Sequence, residues 1–366
     1  VNSEHRWDLA ITHRGAEVET FAGEYFADTA RRTLLIAGVG FDPRTCLVGQ
    51  TLAAAAASLH GLLVREHRPE SDDQLAARAE ANLERLKEAI PSHEVVDIEI
   101  YGADNSVVGG RRAALALSAH PLDNYTDLVI DISALSVGIS FPIIRFVVDA
   151  LPALPGVNVH VLVAHQPEID ARIIATPTDA VVAVPGFAGR LGLLSGPAAA
   201  KLWLPQLASN RSATLRRIYE HLNPDEVCAI VPFPASHPRA GDALLEELLH
   251  SGGFPWQIDA RSIVHADESD PLDLYRTIMR LHALREPVFR EVGGSHLILS
   301  PVGSKVMALG ALLAALEKDL PVMYLEDFSY TLAEPLDDSL DPPELLHVWL
   351  EGTPYPHDRP SLESKK

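Results

Sequence analysis

Short apolar runs bounded by glycine, proline and polar residues alternate along the chain with stretches whose apolar positions recur every three or four residues. The runs at 33–39, 95–101, 128–133, 157–163, 227–231, 297–299 and 321–325 are too short for helices and rich in Val, Ile and Leu. That pattern predicts buried strands. Helical periodicity predicts an alanine-rich helix over 44–64, a charged amphipathic helix over 72–90, and further helices over 138–151, 198–222, 242–250, 270–284 and 302–316. Strands and helices alternating at this spacing mean βαβ units and an α/β fold with mainly parallel sheets.

The second half retraces the first. A strand at 33–39 leads into Gly40-Phe41-Asp42-Pro43-Arg44, and a strand at 227–231 leads into Phe233 and Ser236-His237-Pro238-Arg239, both turns ending in Pro-Arg. Further on, the strand at 128–132 with Ser133 and the helix from Gly138 parallels the strand at 297–299 with Ser300 and the helix from Gly303. The expected organisation is two tandem, pseudo-duplicated Rossmann-like domains, residues 33–196 and 197–326. Residues 1–32 read as an N-terminal arm, 164–196 as a connection between the halves, and 327–366 as an acidic, proline-rich tail. Within that tail 345–350 is expected to add an edge strand, and 361–366 to be disordered.

Composition narrows the function. With 366 residues, 47% hydrophobic and 22% charged, the chain can bury a full core. A formal charge of -20 opposes non-specific binding to nucleic acid, which needs clustered Lys and Arg. Cys46 and Cys228 are far apart and show no metal or disulfide spacing, which suits a reducing cytoplasm. The first residues do not read as a signal peptide, and the apolar stretch 135–154 is interrupted by Arg145, Asp149 and prolines, so no membrane span is expected.

The candidate chemistry gathers at strand ends. Leu299-Ser300-Pro301-Val302-Gly303-Ser304-Lys305 reads as strand, tight turn and helix start, where unpaired N–H groups and the positive end of the helix dipole favour an anion. Lys305 sits against that dipole, and Arg44 lies in the first turn after Asp42 and Pro43, a favoured cap and first helical residue. Both are candidate phosphate contacts. Ser133, Ser300 and Ser304 suit phosphate hydrogen bonds better than nucleophilic attack, because no Gly-x-Ser-x-Gly elbow accompanies them. Asp131 is a candidate hydroxyl acceptor or general base, and His237 with Arg239 is placed to reach a cleft. Gly38-Val39-Gly40 lacks the third glycine of a dinucleotide fingerprint, since residue 43 is proline, and Gly303-Ser304-Lys305-Val306 lacks the Walker A pattern. Neither a cofactor nor a metal is expected: no His-x-x-x-His or Cys-x-x-Cys pair occurs among the sixteen histidines and two cysteines.

The turn Leu299-Ser300-Pro301-Val302-Gly303-Ser304-Lys305 resembles the small-Gly-Thr/Ser-Lys turn of the CARF and SAVED group, Rossmann-like ligand-sensing domains associated with CRISPR and cyclic-oligonucleotide defence. Gly40-Phe41-Asp42-Pro43-Arg44 stands where that group has a ligand loop, and a SAVED module is two such units fused. The resemblance implies a cytoplasmic sensor or accessory subunit of a prokaryotic antiviral defence system, with a nucleotide-type ligand between the domains and a protein partner or homo-oligomer for its output. Its ligand residues would be Gly40, Phe41, Asp42, Arg44, Ser133, Arg239, Ser300, Gly303, Ser304 and Lys305. Two alternatives stand beside it: a nucleotide-processing hydrolase using Asp131 and His237 with Lys305 as phosphate clamp, and a non-catalytic scaffold subunit.

Overall fold

The structure is a computed structural model describing residues 5–70, 72–189, 199–250, 260–336, 341–356, 359 and 362. In chain order it begins with β1 (Ile11–Arg14), α1 (Ala16–Tyr25), β2 (Thr33–Val39), α2 (Leu47–Ala55), β3 (Leu59–His67), α3 (Asp73–Ala89) and β4 (His93–Glu99). It continues with α4 (Gly109–Ser118), β5 (Asp127–Asp131), α5 (Val137–Ala150), β6 (Asn158–His165), α6 (Pro167–Arg172), β7 (Ile173–Ala183), β8 (Ala200–Pro205) and α7 (Ser212–Leu222). The last elements are β9 (Glu226–Val227), β10 (Ala229–Pro232), α8 (Ala240–His250), β11 (Ile263–Ala266), α9 (Pro271–Phe289), β12 (Ser295–Ser300), α10 (Lys305–Lys318), β13 (Met323–Leu332) and β14 (Glu344–Glu351). The α/β class with a large, mostly parallel sheet is as the alternating pattern predicts. None of the described helices is long and apolar enough to cross a membrane.

The chain divides into two compact units. The large-sheet unit is Leu9–Thr176 with Phe328–Arg359; the small-sheet unit is Pro177–Asp327 joined by residues 5–8. The segments expected as an arm and a tail therefore contribute β1, α1 and β14 to the large-sheet unit. Residues 190–196 of the expected connection, and residues 361 and 363–366 of the expected disordered end, lie outside the described residues.

The large sheet has seven strands in the order β1-β14-β6-β5-β2-β3-β4, parallel from β6 to β4. Strands β14 and β1 add on antiparallel. Residues 345–350 were expected at an edge, yet β14 is interior, because β1 covers its outer side. Strand β2 is buried along its whole length. Its alternate residues Leu35, Ala37 and Val39 join Val18, Ala22 and Phe26 of the α1 segment, Val48 and Leu52 of α2, and Leu83 and Leu86 of α3 in one core. One expected helix is corrected here. Residues 44–64 are a short 3-10 turn, α2 and then β3, whose buried Gly61-Leu62-Leu63-Val64 is paired on both sides by β2 and β4. Alanine-rich helix propensity ends where that apolar run gains more by filling the sheet.

In the small-sheet unit β12, β8 and β9 lie parallel, and a parallel bridge from Gln206 to Ile230 carries β10 alongside the end of β8. Strand β10 pairs with β11, and a parallel bridge from Leu299 to Val322 places the entry to β13 beside β12. With β9 and β10 counted as one interrupted strand, the parallel strands of each unit run third, second, first, fourth, fifth, the Rossmann strand order. This also corrects the expected repeat. Residues 198–222, read as helix, contain the buried strand β8 before α7, so β8 rather than the 227–231 strand is the first of its sheet. Counted the same way, β5 and β12, the strands expected at 128–132 and 297–299, are both fourth strands. Within the same unit Trp7 is buried against Tyr275, whose hydroxyl accepts from the Trp7 N–H at 3.2 Å and donates to Glu317.

Candidate functional site

Open α/β sheets bind ligands outside the carboxyl ends of their strands, where the first and fourth strands diverge. Each unit has one such place, the ends of β2 and β5 in one and of β8 and β12 in the other.

In the large-sheet unit, Gly40 to Arg44 leave the end of β2. Gly38 and Gly40 let the loop after β5 lie close: a Cβ at Gly38 would come within 2.9 Å of the Ala134 and Leu135 backbone. Asp42 caps the 3-10 turn by accepting from the Arg44 N–H at 2.9 Å, with Pro43 at the first position. The Arg44 side chain then folds back on its own cap. Its Nε donates to both Asp42 oxygens at 2.9 and 3.0 Å, Nη2 reaches Asp170 Oδ1 at 2.7 Å, and Nη1 the Gln166 carbonyl at 3.4 Å. Arg44 is 2% exposed. Burial alone would lower its pKa, but Asp170 and Asp42 outweigh that and the net shift is upward. Asn82 Nδ2 ties down the turn by donating to the Gly40 carbonyl at 2.9 Å and the Asp42 carbonyl at 3.1 Å. Phe41 packs at 5.7 Å from the Tyr330 ring.

Asp131 ends β5 and is fully buried. Its Oδ1 accepts from the Ser133 N–H at 2.9 Å and from Ser133 Oγ at 2.5 Å, while Oδ2 has no hydrogen-bond partner. Ser133 Oγ also accepts from the Ala164 N–H at 2.8 Å. Burial lifts the Asp131 pKa to about 7, against the Ser133 hydrogen bonds. At the start of α5 the Ser136 N–H donates to Glu66 Oε1 at 2.7 Å, and Glu66 pairs with Arg68 at 2.9 Å. A carboxylate of the chain itself therefore takes the anion position of this helix. The sequence-predicted set Gly40, Asp42, Arg44, Asp131 and Ser133 is brought to one strand edge, but its polar groups largely satisfy one another.

The small-sheet unit is arranged differently. Ser300 Oγ donates to the Met323 carbonyl at 2.8 Å and accepts from Trp203 Nε1 at 2.9 Å, so it ties β8, β12 and β13 together from a fully buried position. Beyond it Gly303 precedes Ser304, which caps α10 by accepting from the Met307 N–H at 3.3 Å. Lys305 is the first residue of this 14-residue helix and is half-buried. Gln206, just past the end of β8, is 1% exposed. Its Nε2 donates to the Met307 carbonyl at 3.2 Å, while Oε1 is enclosed with no hydrogen-bond partner. A Cβ placed on Gly303 would sit 3.4 Å from that oxygen. An unsatisfied buried acceptor is costly and seeks a donor. His237 and Arg239 are exposed in the loop leading from β10 into α8, at the same carboxyl edge.

Asp131 and His237 belong to different units. Gln206, Glu66, Asp170 and Ser136 were not singled out from sequence. Gln206 was hidden because β8 reads as helix, whereas Glu66 falls between the expected helices 44–64 and 72–90. Among the described residues no group of three His, Cys, Asp or Glu is placed to hold a metal ion. The chain matches no protein-family model and no curated protein by sequence.

Proposed function

We propose that this chain is a sensor, or accessory subunit, that binds a phosphate-bearing, nucleotide-type molecule at the carboxyl edge of the small-sheet unit. The observation that carries this reading is the enclosed, unpartnered Oε1 of Gln206 beside Gly303 at the amino end of α10. The helix start and Lys305 suit a phosphate, and Gln206 suits a hydroxyl or N–H donor on the same ligand. A nucleotide carries both kinds of group. The other unit supports an asymmetric assignment, since Glu66 and the Asp42–Arg44–Asp170 cluster fill the corresponding positions there. The shared strand order supports a duplicated module in which one half keeps the ligand site. The resemblance of the Ser300–Lys305 turn to CARF and SAVED domains supports a defence-system role.

A sensor is favoured over a hydrolase because Asp131 Oδ1 is already held by the Ser133 N–H and hydroxyl, whereas a phosphate contact at the start of α10 needs no acid or base. The test is a thermal-shift panel of cyclic oligoadenylates, ATP, AMP and inorganic phosphate, run on wild type and Lys305→Ala with product assayed in each mixture. Ligand at about a hundred times its Kd adds roughly 2.7 kcal/mol, a shift of several degrees. A nucleotide shift lost in Lys305→Ala without product supports the sensor. Product formation supports the hydrolase, and no shift with any compound overturns the site.

A further inference from the structure

Three histidines on adjacent strands of the large sheet stand in single file. His13 of β1 lies directly opposite His347 of β14, and His160 of β6 is the diagonal neighbour of His347, with Trp349 opposite it. Their ring nitrogens meet end to end: His13 Nδ1 to His347 Nδ1 at 2.8 Å, His347 Nε2 to His160 Nδ1 at 3.0 Å, and His160 Nε2 to Asp127 Oδ1 at 3.4 Å. Asp127 is fully buried at the start of β5 and also accepts from Tyr25 Oη at 2.8 Å, Thr126 Oγ1 at 2.6 Å and Arg31 Nη1 at 3.3 Å. Phe21 of α1 covers the file, stacked at 4.4 Å on His13 and 4.6 Å on His347, and Trp349 lies 4.7 Å from His160. The charged groups facing it are Glu17 of α1 near His13, and Asp127 with Arg31 at the far end.

The proton positions follow from the carboxylate. An ionised Asp127 only accepts, so His160 carries its proton on Nε2 and offers Nδ1 as acceptor. His347 must then carry Nε2–H and accept at Nδ1, and His13 must carry Nδ1–H. One extra proton fits, on the outer Nε2 of His13. A second would set two N–H groups against each other across a gap of about 3 Å and break the file. Three separate histidines in an unfolded segment accept three.

We propose that the His13–His347–His160 file ending on Asp127 is an acid-sensitive clasp, which holds the β1 and α1 edge of the large sheet at neutral pH and releases it when a second proton enters. Burial supports this by holding His347 well below the ordinary histidine range and lowering His160 and His13 as well. Depressed histidine pKa values stabilise the closed edge above about pH 6.5, and that stabilisation is lost as pH falls below it. Opening admits two more protons than the closed file holds, so its equilibrium constant rises by up to about a hundredfold per pH unit.

Two measurements on the full chain test this. Imidazole nitrogen NMR at pH 7.5 should find Nε2–H tautomers at His160 and His347 and Nδ1–H at His13; Nδ1–H at either buried ring overturns the file. Hydrogen exchange of 11–25 and 344–351, corrected for intrinsic rate, should show opening increase about a hundredfold between pH 6.5 and 5.5 in wild type and at most about tenfold in His347→Phe, where His13 and His160 no longer face an N–H and each can take its proton in the closed edge. Equal slopes in wild type and His347→Phe overturn the clasp.

Discussion

The Glu66 carboxylate accepts from the Ser136 N–H at 2.7 Å and pairs with Arg68 at 2.9 Å, so a strand residue of β3 supplies the negative charge at the start of α5. Both side chains of the pair are largely buried. Glu66→Ala leaves the Ser136 donor unmatched and Arg68 without this partner, and should cost about 3 kcal/mol. Glu66→Gln keeps an acceptor and loses the charge, so about 1 kcal/mol is expected. Urea unfolding of the two variants checks the order; equal losses would remove the anion role of Glu66.

Arg44 was expected as a ligand contact, and in the structure it pairs with two carboxylates, Asp42 and Asp170. Removing the cation leaves Asp42 and Asp170 facing each other beside buried Asp131. Arg44→Met should destabilise the chain by about 3 to 5 kcal/mol, measured by denaturant unfolding. Asp170→Asn should cost less, because the Asp170 side chain is 32% exposed and solvent screens its charge. If Arg44→Met is as stable as wild type, the cluster is not structural and Arg44 returns as a ligand contact.

The fold was legible where sequence patterns were unambiguous. Strand β2 is an unbroken apolar run bounded by glycine, and α3 follows Asp72, which caps Gln74 and Leu75. The parallel βαβ order follows from that alternation. Strands β3 and β8 were not legible, because their residues adjoin alanine-rich or amphipathic stretches and only pairing with β2 and β12 reveals them. The site divided likewise. Ser304 as cap of α10 and Asp42 as cap of its turn follow from local chemistry. What Arg44 and Ser133 face depends on Asp170 and Ala164, far along the chain, and no spacing announces that.

Asp131 predicts a pH dependence of its own. Its pKa, raised by burial to about 7 from an ordinary 3.8, means the folded chain binds this proton more tightly than the unfolded one. Stability from this group is therefore present below about pH 4 and is lost as pH rises toward 7. Asp131→Asn removes the titration while keeping an acceptor for Ser133. Its melting temperature relative to wild type should rise between pH 5 and pH 8, by several degrees. A constant difference across that range would show that Asp131 is ionised throughout.

Gly303 separates ligand binding from folding. Its backbone needs no left-handed conformation, and an added Cβ would meet Gln206 Oε1 at 3.4 Å and the Leu207 carbonyl at 3.7 Å, ordinary contacts. Gly303→Ala should fold with a stability within about 1 kcal/mol of wild type, since it precedes the helix rather than interrupting it. The same methyl group stands against the acceptor proposed to meet the ligand. Any nucleotide that raises the melting temperature of wild type should then bind Gly303→Ala at least tenfold more weakly by calorimetry, and Gly303→Val more weakly still. Retained nucleotide affinity in both variants, with Lys305→Ala also silent, would place the ligand away from α10 and leave Gln206 Oε1 to a bound water.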